Sequence, residues 1–286
     1  MHRFRIFFLL LSVGWYAHAQ VISINESETK LHSLFNRLYS ATNDLQRQAV
    51  NDSICNQFTQ TISQPASFDY PFDSLQYVGK IYSVDHALRI YSWNYIIQSG
   101  AYNFVCFIQR KQDDTVFRFT QSKSVYLPQS NGNILVNNWY GALYYNAIPY
   151  SYHKKTVYLL LGWSRYTESR NFKIIDVLSF EDHQIQLGEP LFQDSGRVMS
   201  RVIIPYSSRY ALTLQYDARN RMIFFNHLSL SSGNNKSIME TKAIPDENFS
   251  AYLITKTGLI YKDELPLKDD QLPHASSHFK APDSVE

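Results

Sequence analysis

Two stretches, Leu88-Arg-Ile-Tyr-Ser-Trp-Asn-Tyr95 and Tyr102-Asn-Phe-Val-Cys-Phe-Ile-Gln-Arg110, decide the fold class. Each is rich in β-branched and aromatic residues, which pack well on a pleated surface. The polar Gln98-Ser99-Gly100 between them reads as a tight turn, so the pair predicts an antiparallel hairpin. The same pattern extends in both directions. Further candidate strands are Tyr77–Tyr82, Thr115–Gln121, Trp139–Ile148, Thr156–Ser164, Phe172–Phe180, Arg201–Tyr206, Ala211–Tyr216 and Met222–Leu228. Ala251–Thr255 and Leu259–Tyr261 read as a last hairpin through Lys256-Thr-Gly258. A loose unit of turn, strand, turn and strand fits both 88–110 and 201–228, which suits a meander built as a propeller-like fragment, a twisted sheet or a sandwich.

Upstream of these strands the period changes. Leu31, Leu34, Phe35, Leu38, Ala41 and Leu45 recur at three- and four-residue spacing, the stripe of an amphipathic helix with Ser27 or Asn25 as its cap. Val50, Ile54, Phe58 and Ile62 continue at spacing four, out of phase across Thr42-Asn43-Asp44, which predicts a kink or two helices. Pro65 ends the helical region. The expected fold is α+β, an N-terminal helical region (20–64) packed on a large antiparallel β-meander (65–262).

The two ends read differently. Arg3 and Arg5, the apolar stretch Ile6–Val13 and Ala17-x-Ala19 have the layout of a cleaved secretory signal over residues 1–19. The apolar run is about half the ~20 residues that a spanning helix needs. No later run approaches that length, so no transmembrane segment is expected after cleavage. Residues 263–286 are polar, with Pro266, Pro273 and Pro282, and read as a disordered tail.

The 286 residues carry 27 Lys+Arg against 25 Asp+Glu, with 44% hydrophobic residues. That balance excludes a disordered chain and argues against a nucleic-acid binder, which needs a basic face. Removing residues 1–19 takes away two arginines and no acid.

Ser67-Phe-Asp-Tyr-Pro-Phe-Asp-Ser-Leu75 and Ser83-Val-Asp-His-Ala-Leu-Arg-Ile-Tyr-Ser-Trp-Asn94 are distinctive. So are Asn138-Trp-Tyr-Gly-Ala-Leu-Tyr-Tyr145, Leu161-Gly-Trp163 and Lys173-Ile-Ile-Asp-Val-Leu-Ser179. Over most of residues 30–260 the chain resembles a family of uncharacterised secreted proteins from Bacteroidota. The resemblance implies an exported or envelope location, in the periplasm, at the cell surface or outside the cell, and carries no catalytic residue with it. The Leu-Arg-Ile-Tyr segment also resembles the strand entry of propeller-like blades.

Few residues point to chemistry. Ser151-Tyr-His-Lys154 matches Ser-x-x-Lys in letters but follows Pro149 in a β-rich stretch, where the helix that motif opens is not expected. His274 and His278 have i,i+4 spacing but fall in the polar tail. No metal site, cofactor or catalytic residue is expected. Asp69 and Asp73 flank Tyr-Pro-Phe and read as acceptors for backbone donors of that turn, and Glu181-Asp182 follows a strand. Such pairs support an alternative reading as an exported glycan- or peptide-directed hydrolase. An outer-membrane barrel fits poorly, since the strands lack a sustained lipid-facing alternation.

Aromatic content is high, 15% of the chain with 21 Tyr and 18 Phe. Trp93, Trp139, Tyr140, Tyr144, Tyr145 and Trp163 lie on neighbouring candidate strands. An exposed strip would stack on sugars or grip a peptide; the alternative is an aromatic β core. Trp93, Trp139, Tyr144 and Trp163 are the ligand-binding candidates, with Trp139 and Tyr140 expected on opposite strand faces. The corresponding function is a non-catalytic envelope protein that binds a glycan or a protein partner. Cys55 lies beside the helical stripe and Cys106 in mid-strand, and two unbridged cysteines are expected.

Overall fold

The computed structural model describes residues 23–121, 129–181, 184–230 and 243–265. The expected signal segment and residues 266–286 lie outside the described residues.

Two helices open the described part of the chain, α1 (Ile24–Ser40) and α2 (Asp44–Ile62), so the phase slip is a break and not a kink. Ser23, rather than Ser27 or Asn25, caps α1: its hydroxyl accepts from the Glu26 amide while the Glu26 carboxylate accepts from the Ser23 amide. Ser27 is instead buried one turn in. Asn43 caps α2. The second helix starts a new phase there, which leaves Leu45 on its outer side at 85% exposure, off the apolar stripe.

Strands β1 (Gly79–Tyr82), β2 (Leu88–Ile96), β3 (Tyr102–Arg110) and β4 (Val116–Phe119) form a first antiparallel sheet in sequence order. β5 (Ile134–Leu135), β6 (Leu143–Tyr152), β7 (Lys155–Thr167), β8 (Arg170–Glu181) and β9 (Gln184–Leu187) form a second, in the order β5-β9-β8-β7-β6. The chain then lays down β10 (Phe192–Asp194) and β11 (Arg197–Met199), and returns to the second sheet with β12 (Val202–Ser207). β13 (Leu214–Asp217), β14 (Met222–Leu230), β15 (Ala243–Ile254) and β16 (Leu259–Leu265) complete a third sheet, ordered β11-β10-β16-β15-β14-β13. The pairing of β10 with β16 is parallel, a departure from a pure meander.

Side-chain alternation along the strands sets the layers. On β2 and β3, Tyr91, Trp93, Val105 and Phe107 pack against Phe35 and Phe58 of the helices. Their neighbours Leu88, Ile90, Phe104 and Ile108 pack against the second sheet. On β7 and β8, Leu160 and Ile174 meet the first sheet, whereas Leu159, Leu161, Ile175 and Val177 meet Ile223, Phe225 and Tyr252 of the third. The order is helices, first sheet, second sheet, third sheet. The sheets stack face to face, which confirms an α+β architecture with helices on one side.

Four short strands, β5, β9, β10 and β11, were not expected; two to four residues give too little alternation to read. Trp139 falls outside β6, because Val136–Asn138 form a 3-10 turn and Gly141 has φ of 92°. β16 reaches Leu265, so the β-rich part extends three residues into the stretch read as tail.

Two buried arginines fasten the layers. Arg89 donates to the carbonyls of Ser67, Phe68 and Tyr70 at 2.9, 2.5 and 2.6 Å and faces the rings of Phe72, Tyr82 and Tyr91. Glu28 closes the other side of that loop, accepting from Tyr70 Oη and from the Ser74 amide and hydroxyl. The distinctive 67–75 segment is thus a strap held by Arg89 and Glu28, and Asp69 and Asp73, expected to hold its turn, are exposed. The second arginine, Arg201, is fully buried; its Nε lies 3.2 Å from Asp176 Oδ1, and its other nitrogens donate to the carbonyls of Gln129 and Leu187.

Among the described residues, no helix is long and apolar enough to cross a membrane. Both cysteines are free and buried. Cys106 shares the β3 face of Phe104 and Ile108, and Cys55 packs with the helices against the opposite face. The first sheet stands between them. Burial pushes the Cys55 thiol up to about 11 and holds the Cys106 thiol well above its ordinary range. An aqueous thiol reagent should therefore leave the native protein unmodified at pH 7.5 and titrate two thiols once it is unfolded without reductant. A value of zero in the unfolded monomer would contradict this placement.

Candidate functional site

Charge inside a packed sheet is the clearest sign of a site, because an ion leaves water only at a cost. Strand β8 carries two such charges, Lys173 and Asp176, on opposite faces. Asp176 points to the first sheet and is fully neutralised: Arg201 pairs with it, the Val177 amide donates at 3.1 Å, and Tyr140 Oη donates at 2.5 Å. Burial, reinforced by the Asp176 charge, holds the Tyr140 phenol far above its usual range, so it acts as a neutral donor.

Lys173 points the other way, on the face of Ile175 and Val177. Its Nζ lies 4.7 Å from the centre of the Tyr145 ring. Among the described residues no carboxylate or hydrogen-bond acceptor pairs with it. Burial alone lowers its pKa to about 8.

This ammonium opens into a cleft of about 640 Å³, within the size range of small-ligand sites. Three features build the cleft. β6 bulges between Tyr144 and Asn146, so Tyr145 is the extra residue and swings inward, its hydroxyl donating to the Leu214 carbonyl at 3.1 Å. Trp163 is the direct cross-strand neighbour of Lys173. Lys80 of β1 lines the rim, its ammonium held by the carbonyls of Phe72 and Leu75 at 2.7 and 3.0 Å. The lining contains two lysines and no carboxylate.

Gly162 makes the bulge possible. A Cβ there would sit 2.9 Å from the Tyr144 ring, which lies directly across the strand.

The four aromatic candidates do not form one surface. Trp93 is buried between helices and first sheet, T-shaped to Phe35, with its Nε1 donating to Asn51 at 3.0 Å. Trp139 and Tyr144 are buried between the first and second sheets, joined by a 3.2 Å hydrogen bond from the indole. An exposed strip is therefore corrected to core at these three positions; the apolar area of a large ring is worth more between layers than in water. Only Trp163 reaches the cleft, packed edge-on to Tyr102 and Phe104. Trp139 and Tyr140, expected on opposite faces, join one network through Tyr144, because they precede the strand.

Sequence reading missed Lys173 and Lys80, and left Tyr145, one of the six aromatics it placed on neighbouring strands, outside the four ligand-binding candidates. The signal for Lys173 was present as a charge inside the apolar run 172–178; the bulge that turns Tyr145 inward left no mark.

Two other polar groupings are satisfied internally. A groove of about 610 Å³ beside α2 is bordered by Gln48, Tyr95 and Asn103, which hydrogen-bond to one another. On β14, His227 Nδ1 lies 2.6 Å from Asp246 and its Nε2 3.7 Å from Asp263, while Ser229 donates to the same Asp246 oxygen. The serine does not face the free imidazole nitrogen, so no nucleophile is activated. Of the acid pairs, Glu181 is bound by Lys155, and Asp182 lies outside the described residues. Among the described residues no group of three or more His, Cys, Asp or Glu is placed to hold a metal ion.

Comparison with known proteins returned no match to a family model, to a curated protein or to a solved structure.

An uncompensated lysine should cost stability. Lys173→Met should raise the melting temperature at pH 7. A folded-state pKa below the unfolded value means that the unfolded chain binds more protons between about pH 8 and 10. Wild-type stability should therefore climb relative to the variant across that window, by on the order of 1–3 kcal/mol. Parallel stability curves for the two proteins from pH 7 to pH 9.5 would refute the burial of a charged, unpaired amine.

Proposed function

We propose that this is an exported protein that binds, without transforming it, a carboxylate-bearing ligand in the cleft around Lys173. The observation that carries the reading is the unpaired ammonium itself. The same strand neutralises Asp176 with an arginine, a phenol and an amide, whereas Lys173 meets only an aromatic face. An anion arriving from solution would supply the missing partner and form a charge-assisted hydrogen bond. Trp163 and Tyr145 would pack against the apolar part of the ligand, and the amides of Asn146 and Gln215 would orient it. A lining without a carboxylate offers no acid–base pair, which favours binding over the carboxylate hydrolase.

Export rests on the order of Arg3, Arg5, the apolar stretch and Ala17-x-Ala19. The family resemblance supports the same compartment. Expressed from its full gene, the mature protein should begin at Gln20 by N-terminal sequencing. Recovery of Met1 in soluble cytoplasmic material would sink that part of the proposal.

For the ligand, calorimetric titration of the mature chain with oligogalacturonate, poly-glutamate and a neutral maltooligosaccharide separates charge from shape. At least one acidic probe should bind. Lys173→Met should weaken it at least tenfold, while Lys173→Arg retains part of the affinity. Affinity that is indifferent to Lys173, or equal for the neutral sugar, would overturn the reading.

A further inference from the structure

The wall of this cleft narrows the class of ligand, an inference that rests on the reading of the Lys173 site given above. Residues 212–216 all line it, as do 80–82. Successive side chains on a strand point to opposite faces, so an unbroken run of lining residues means that the backbone edge itself is presented. β13 is the last strand of the third sheet and β1 the last of the first. The edge of β1 is partly used, since Lys80 is tied to the 72–75 strap and the Val84 amide donates to Ala147 of β6. Among the described residues no strand other than β14 pairs with β13. The Leu214 carbonyl of β13 faces the cleft, where it already accepts from Tyr145 Oη, so an added strand would compete with that phenol for it.

Edge strands in native proteins are commonly guarded by charge, proline or a cover. Of β13, Leu214, Gln215 and Tyr216 line the cleft and carry neither charge nor proline; the strand's one charge, Asp217, ends it outside the lining and accepts from the Arg219 and Asn220 amides. These three residues pair on one side with β14 and face the cleft on the other, while the Thr213 amide before them donates to Asn226 Oδ1. At the floor stands Lys173, reached from the third-sheet side. A row of backbone donors and acceptors above one unpaired cation is complementary to a chain with its own amides and one acidic side chain. The rings of Tyr82, Tyr145, Trp163 and Tyr216 also line the cleft, so an acidic glycan is the rival outcome of the test below.

We propose that the cleft takes an extended acidic peptide as an added strand on the β13 edge, with one of its carboxylates on Lys173. Backbone pairing would give affinity and the Lys173 contact would set the register, the division of labour seen whenever a strand is added to a sheet edge.

The test uses the mature chain immobilised and an N-acetylated, C-amidated five-residue library with glutamate at the centre and all residues elsewhere. A matched library carries glutamine at the centre. Retention read by mass spectrometry should favour the glutamate library at least tenfold, and Lys173→Met should erase that preference. Peptides recovered this way are then resynthesised with single N-methyl amides. Methylation should abolish binding at alternate positions, those facing β13, and leave it nearly unchanged at the others. Equal retention of the two libraries, or N-methyl effects without alternation, would overturn the proposal. Lys173-dependent binding of oligogalacturonate with no peptide retained would refute the peptide while leaving the anion site standing. Loss of both would refute the site.

Discussion

The pairing of Asp176 with Arg201 is the contact on which the layered structure depends. Both groups are fully buried, in the middle sheet, where no water reaches them. Such a pair contributes little net energy over an apolar one, yet losing one partner costs about 3–5 kcal/mol, because the other charge is stranded. Its effect is therefore to specify. Arg201 ties the start of β12 to β8, to the Leu187 carbonyl at the end of β9 and to the Gln129 carbonyl ahead of β5. β9 and β12 share one edge of β8, with Leu178–Glu181 pairing β9 and Arg170–Ile175 pairing β12. In the observed register of β12 on β8, Arg201 reaches all of these acceptors at once. Gly188 is part of the same arrangement: a Cβ there would meet the Gly132 carbonyl at 2.6 Å and Arg201 Nη2 at 2.8 Å, and its φ of 108° is open to glycine.

With the middle sheet fixed, each neighbouring layer has one face to cover. The first sheet covers one side and is itself covered by the helices; the third sheet covers the other. A central sheet buried on both faces must be apolar at nearly every position, and β7 reads accordingly from Val157 to Leu161. Any departure from that rule needs a local reason. Asp176 and Lys173 are the two charged departures within β8, and their surroundings give opposite answers.

The sequence made the hairpins legible because their signals are local. β3 falls on its expected bounds, and β2, β7 and β8 match to within a few residues, since alternation and turn chemistry act over short spans. Which sheet a strand joins was not legible. That depends on contacts such as Arg201 with Asp176, 25 residues apart, and Arg89 with the strap about 20 residues upstream. The aromatic residues misled for a related reason. Composition told that Trp93, Trp139 and Tyr144 pack on β surfaces, but burial on both sides of a sheet is set by the stacking of layers. The cleft was the least legible part, because it arises where a bulge, an edge strand and a cross-strand pair from three separate segments converge.

Position along one strand finally separates stability from function. Lys173 and Asp176 are three residues apart, so period two sends them to opposite faces. The face toward the first sheet is closed, and there the fold had to bring its own cation, phenol and amide to the acid. The face toward the third sheet narrows at β13, a strand of only four residues, and stays open beside it. A charge at that opening is held in a low-dielectric wall yet remains within reach of solution, the condition under which an arriving counter-ion gains most. A methionine at 173 would pack against Tyr145 and Ile204 without the cost of burying charge. The lysine is therefore best understood by what reaches it from outside, and the bulge at Tyr145, which places an aromatic face and no acceptor next to it, keeps the ammonium available.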